Sequence, residues 1–282
     1  MVRLHDAVAG RRYFALTVPL LMNTTAFPIR LFAADIEDTV LGDTDAVRRF
    51  RTAWESLPAG ERPLLVYNTG RSVHETQWLI LERQLPAPEF IIGGVGTELF
   101  DPLDHHVAEE FASHLAPGWD IGKIEHIIEE NPGVRRQAVE FHNPYKSSWH
   151  WPLASSLQVV QLRRRLEDGG LDVNVLYSAK IYLDVIPRRA GKGAALAWLA
   201  GRIGIALENT LVAGAAGNNV SMFALPGVRG IVVGNAAAEL LTGTTASKPF
   251  VTRVSSVDGV LAGLLHFGVL SPETADAEAK AG

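Results

Sequence analysis

The chain has 282 residues, 47% of them hydrophobic, which is enough to bury one or two cores. Its 31 acidic and 26 basic residues leave a formal charge of −5, which argues against a protein held to nucleic acid by bulk charge. There is no cysteine, so disulfides, thiolate metal sites, iron–sulfur clusters and a cysteine nucleophile are excluded.

Arg11 and Arg12 precede an apolar run, Tyr13 to Met22, with the outline of a weak signal peptide. Pro19 interrupts that run and no small-residue cleavage site follows it. Residues 1–28 are therefore read as an N-terminal extension, with Met22 as an alternative start. No apolar run reaches the roughly 20 residues that span a bilayer, so no membrane partner and a cytoplasmic location are expected. Ile29 to Ala34 reads as a buried strand, and Thr44 to Leu57 as a helix with Val47, Phe50 and Trp54 on one face. Pro63 to Tyr67 is a second strand, Val73 to Leu85 a second helix, and Phe90 to Gly94 a third strand leading to a hairpin around Asp101 and Pro102. After about Gly118 the pattern changes. Arg136 to His142 alternates as a strand with one open face, flanked by helices over Ile121–Asn131 and Ser155–Gly169. A helix then runs from Gly191 to about Ile203, followed by strands Thr210–Ala213 and Gly230–Val233. Apolar strands alternating with helices predict a parallel sheet covered on both faces, split by an inserted α+β module. Residues 271–282 read as a disordered tail.

In an open α/β sheet, ligands sit beyond the carboxyl ends of the strands. The first strand ends in Asp35-Ile36-Glu37-Asp38-Thr39, with Asp35 at its tip. The second ends in Asn68-Thr69-Gly70-Arg71-Ser72, where a hydroxyl, a glycine and free backbone N–H groups at a helix start suit a phosphate oxygen. Simple capping by Thr69 or Ser72 explains the same residues. Gly191-Lys192-Gly193 puts a lysine at a helix N-terminus, which is disfavoured unless its ammonium meets an anion. Gly214-Ala215-Ala216-Gly217-Asn218-Asn219 is a second glycine-rich loop.

These pieces, in this order, resemble the haloacid dehalogenase (HAD) phosphatase superfamily, in the sucrose-phosphate-phosphatase-like branch with a large inserted cap. The resemblance also takes in Gly94-Val95-Gly96-Thr97-Glu98 and Leu183-Asp184-Val185-Ile186-Pro187, and runs from about Leu31 to Gly268. It implies a Rossmannoid core of residues 29–115 and 188–270 and a cap of residues 116–187. It further implies that Asp35 attacks phosphorus and that residue 37 is the acid–base carboxylate. Thr69, Gly70, Lys192 and Asn218 would hold phosphate, and Lys146 and Lys180 of the cap would reach the substrate. Mg²⁺ would be held by Asp35, the carbonyl at 37 and the acids of the last loop.

Three positions depart from the pattern. Glu37 stands where an aspartate is expected, displacing the carboxyl by about 1.5 Å, which can cost on the order of 100-fold in rate. Ala215 replaces the direct Mg²⁺ ligand, and Asn219 replaces a supporting acid, so two negative charges are lost around a cation that prefers carboxylates. Two readings stand. One is a sugar-phosphate phosphatase-like protein with a degenerate metal site, weak or absent Mg²⁺ binding and hydrolysis, and a retained cleft for a phosphorylated sugar or phosphate. Its protein partner would be a glycosyltransferase making a sugar phosphate. The other is an active Mg²⁺-dependent phosphatase with a substitute ligand from Asp43, Asp184 or a partner. In the cap, Trp149 and Trp151 flank His150, suiting either sugar stacking or the cap core. His105 and His106 are assigned no role.

Overall fold

The computed structural model describes residues 28–272. The expected N-terminal extension (bar Pro28) and most of the tail lie outside them. In chain order the elements are β1 (Leu31–Ala34), α1 (Thr44–Glu55), β2 (Leu64–Asn68), α2 (Val73–Arg83), β3 (Phe90–Gly93), β4 (Glu98–Phe100), α3 (His105–Leu115), α4 (Ile121–Glu129), β5 (Arg135–Arg136), β6 (Ser147–His150), α5 (Ser156–Asp168), β7 (Val173–Ser178), β8 (Tyr182–Pro187), α6 (Lys192–Arg202), β9 (Thr210–Gly214), α7 (Val220–Phe223), β10 (Arg229–Val232), α8 (Ala238–Gly243), β11 (Phe250–Val251) and α9 (Ser256–His266).

Seven strands form one sheet in the order β11-β10-β9-β1-β2-β3-β4, parallel except where β4 turns back along β3. Every residue of β1 is buried, because its side chains alternate between two separate cores. Phe32 and Ala34 join α1, α2 and α9 through Phe50, Trp54, Ile80 and Val260. Leu31 and Ala33 join α3, α6 and α7 through Phe111, Leu196, Leu199 and Phe223. The α/β fold with helices on both faces is thus the one its strand pattern predicts.

The inserted segment forms a four-stranded antiparallel sheet, β5-β6-β8-β7. Helices α4 and α5 cover one face through Ile124, Ile128, Leu162 and Leu166, packed on Trp149, Trp151, Leu183 and Val185. Both tryptophans are 2% exposed, so they are cap core and not a sugar-stacking surface. Each indole N–H is satisfied internally, by Ser147 Oγ and by the Pro132 carbonyl. On these grounds we propose the division into a core of residues 29–115 and 188–270 and a cap of residues 116–187.

Two local expectations are corrected. Only Arg135 and Arg136 pair as a strand, and Val139–Phe141 is a 3₁₀ turn with Val139 exposed. The hairpin falls at residues 94–97, not at Asp101 and Pro102. Gly94, Val95 and Gly96 have φ of 56°, 62° and 85°, which closes the turn earlier. Asp101 Oδ1 instead accepts from the Leu103 and Asp104 N–H groups, opening the approach to α3.

Trp149→Ala should remove about 3–5 kcal/mol of cap stability. Urea unfolding followed by fluorescence should show an early transition for the cap, with the core transition near its wild-type midpoint.

Candidate functional site

The register of the central strands places the motif residues side by side. Ala34 pairs with Tyr67 of β2 and Ala213 of β9, so Asp35, Asn68 and Gly214 leave the sheet at one edge. Asp35 is 2% exposed. Its Oδ1 accepts from the Ile36 N–H at 2.9 Å and lies 2.7 Å from Lys192 Nζ. Its Oδ2 accepts from Asn219 Nδ2 at 2.7 Å. Lys192 is 1% exposed and has no further acceptor among the described residues. Burial pulls its ammonium below the usual lysine value, while Asp35, and more weakly Glu37, hold the proton on.

The backbone brings these groups together by close approaches that only glycine allows. A Cβ on Gly214 would stand 2.5 Å from Asn219 Oδ1, and one on Gly193 would stand 2.2 Å from the Ser221 carbonyl oxygen. Gly193 N–H donates to Ser221 Oγ at 3.1 Å, and Asn68 Nδ2 donates to the Lys192 carbonyl at 2.9 Å. Helix α6 is thereby pinned with its first residue against Asp35.

Asn219 decides what the site can hold. Its Oδ1 accepts from the Ala215 and Ala216 N–H groups at 3.0 and 2.9 Å. Those two donors fix the amide orientation, since a flipped amide would set N–H against N–H and oxygen against the carboxylate. Asn219 therefore presents N–H, not oxygen, to Asp35. Ala215 is buried and has no donor atom to add. Glu37 is turned away: its Oε2 accepts from Thr69 Oγ1 at 3.0 Å and its Oε1 pairs with Arg71 Nε. Among the described residues no three His, Asp or Glu side chains converge on a metal position. The donor set does not fit Mg²⁺, which needs oxygens where this site offers an amide N–H and a methyl group. Asn219, a candidate metal ligand through its amide oxygen, thus turns an N–H to Asp35, and the Glu37 carboxyl is engaged away from it.

The substitute ligands are also engaged elsewhere. Asp43 caps α1, accepting from Asp45 and Ala46 N–H groups. Asp184 lies in the cap, accepting from Ser148 Oγ at 2.6 Å and 3.9 Å from Lys146 Nζ. Asp38 is exposed, with φ 57°.

A cavity of about 300 Å³ opens beside Glu37 between core and cap, lined by Gly70, Arg71, Asn143 and Lys146 among others. Of the predicted site residues, Asp35, Lys192 and Asn219 meet directly, Glu37 meets Thr69 beside them, and Gly70 and Lys146 line the cleft next to Glu37. Lys180 does not reach them, and Asn218 does so through Asn219 alone. Both are exposed and line a second cavity of about 1060 Å³. Asn218 turns its Oδ1 to Asn219 Nδ2 at 3.0 Å. Ser72, as its capping alternative suggests, forms a capping box with Glu75. Sequence reasoning passes over Arg71 as a pairing group, although an acid lengthened by one methylene nearby is a signal for it. It also passes over Asn143, whose Nδ2 donates to Thr97 Oγ1 at 2.8 Å and ties the cap to the hairpin of the core.

Similarity to known proteins bears on the family and the fold. Residues 28–268 match the family described as sucrose-6F-phosphate phosphohydrolase. A mannosylfructose-phosphate phosphatase of Agrobacterium fabrum is 38% identical over 243 residues, covering 86% of this chain and 98% of that protein. A probable sucrose-phosphatase 2 of Arabidopsis thaliana is 32% identical over 225 residues, covering 77% of this chain but 53% of that longer protein. The structure of a Synechocystis sucrose-phosphatase in complex with sucrose and phosphate matches with a TM-score of 0.74 at 27% identity, covering 86% of this chain and 99% of that one.

In Asn219→Asp a second carboxylate would face Asp35 across the space the amide N–H now fills. Without metal this variant should lose about 1–3 kcal/mol of stability in urea unfolding. Millimolar Mg²⁺ should raise its Tm, and should move the wild-type Tm by less than about 1 °C. A tight one-to-one Mg²⁺ site in the wild type by calorimetry would contradict this assignment.

Proposed function

The chain belongs to the sucrose-6F-phosphate phosphohydrolase family of HAD-type hydrolases, and we propose that it is a member that keeps the sugar cleft while hydrolysing phosphate esters weakly or not at all. One observation carries this reading: the Asn219 amide donates to Asp35 Oδ2, with its oxygen held by two backbone N–H groups. A carboxylate nucleophile must present a free lone pair to phosphorus while cations screen both anions. Here one oxygen of Asp35 faces Lys192 and the Ile36 N–H, and the other accepts from Asn219. The pair is already neutral, so an approaching phosphate finds no surplus positive charge.

The role that the resemblance gives residue 37 is weakened in the same way. A general acid must reach the leaving oxygen, and Glu37 is held to Thr69 and Arg71. Lys146 remains available at the cavity wall for a sugar, while Lys180 belongs to the other cavity.

The names of the relatives, all phosphatases, favour the second reading, an active enzyme. It would need a cation ligand from outside the residues described, because Asp43 and Asp184 are committed. A glycosyltransferase partner and a cytoplasmic location remain part of the proposal. No helix among the described residues is long and apolar enough to cross a membrane.

A phosphate-release assay on sucrose 6-phosphate and mannosylfructose phosphate, with Mg²⁺ or EDTA, tests this. The wild type should give no Mg²⁺-dependent release. Ala215→Asp with Asn219→Asp should give detectable release, and adding Glu37→Asp should raise it by about tenfold or more. Asp35→Asn should abolish it. Wild-type turnover that depends on Mg²⁺ and Asp35 would overturn the reading.

A further inference from the structure

Glu37 is the departure whose side chain reaches the cleft itself. Both its oxygens are occupied, by Thr69 Oγ1 and Arg71 Nε. Thr69 Oγ1 also accepts from the Arg71 N–H at 3.2 Å. A hydroxyl has one proton, and that proton is spent on Glu37. At this end of the cavity, then, the hydroxyl and the guanidinium that would meet a phosphoryl group already meet a carboxylate. An aspartate on the same backbone, shorter by about 1.5 Å, would not bridge both.

The rest of the lining points the same way. Glu75, Glu98 and Glu140 share the cavity with Glu37, giving four carboxylates against the two cations Arg71 and Lys146. Burial and then Arg136 hold His142 below the usual histidine value, so it does not offset the carboxylates. A phosphate dianion entering here is repelled, whereas carboxylates are good acceptors for the hydroxyl donors of an uncharged sugar.

We propose that Glu37 is the specificity-determining residue of this cleft: it stands in the place of a ligand's phosphoryl group, so the cleft takes an uncharged glycoside in preference to the phosphate ester. This rests on the reading that the cleft still binds sugars of the kind its relatives act on.

Calorimetry on the full chain with sucrose, mannosylfructose, their phosphate esters and inorganic phosphate tests it, with Glu37→Ala and the near-isosteric Glu37→Gln, each checked for folding by circular dichroism. The wild type should bind a free sugar more tightly than its ester. Either variant should gain at least about tenfold for ester and phosphate relative to the free sugar. A wild type that prefers the ester, or a sugar-to-ester ratio that neither variant moves, overturns the proposal. If free sugar and ester both fail to bind every form, the sugar-cleft reading falls, and this proposal with it.

Discussion

The buried pair of Asp35 and Lys192 is the constraint around which the core closes. Neither group reaches water, and the lysine has one counter-charge in contact. Removing either partner would leave an uncompensated charge in the interior, a far larger penalty than losing a surface ion pair. Three segments must therefore converge on one point: the end of β1, the start of α6 and the loop after β9. The glycines at 193 and 214 exist for that convergence, since each stands where a side chain would strike its neighbour. Gly96 serves it from outside, letting the β3–β4 turn pack on the Gly191 backbone ahead of α6, where a Cβ would stand 2.5 Å from the Gly191 carbonyl.

The departures from the family pattern support one another. With Ala215 offering no ligand, a carboxylate at 219 would face Asp35 unscreened. An amide instead satisfies Asp35 and the two loop N–H groups at once. Likewise, the extra methylene of Glu37 lets its carboxyl settle on Thr69 and Arg71, which under the proposed reading it can do because no acid–base task holds it elsewhere. Under the proposed reading, each departure suits the surroundings that the others create. That coupling is what double-mutant analysis detects as non-additivity.

Much of the core was legible in the chain because it rests on short-range chemistry. Continuous apolar strands marked β1, β2, β3, β9 and β10, and the turns that follow them carried the motif residues. The positions of Asp35 and Thr69 follow from the strand ends, and that of Lys192 from a helix start. What pattern could not reveal was direction. No periodicity tells which end of the Asn219 amide faces the carboxylate, or that Glu37 folds sideways onto Arg71. The cap turn at Val139–Phe141 was misread for a related reason. Its alternation imitates a strand, but Val139 is exposed and gains nothing from pairing. Trp149 and Trp151 were ambiguous until burial placed both beneath the cap helices.

The contact of Asn143 with Thr97 has a consequence for the timing of ligand exchange. It joins cap to core through one side-chain hydrogen bond, with Tyr145 beside it packed on the core cluster. Two of the three hydrophobic clusters keep to one side of this seam, while the third joins Ile186 and Tyr145 of the cap segment to the core. Parting the two bodies would break this bond and the Tyr145 contact, while the pairs of Arg188 with Glu167 and Asp172 also cross the boundary. Such sub-global openings lie at the low end of the free-energy range within a folded protein. Residence of a bound molecule would then depend on this seam, where Asn143 both lines the cavity and holds the cap to the core.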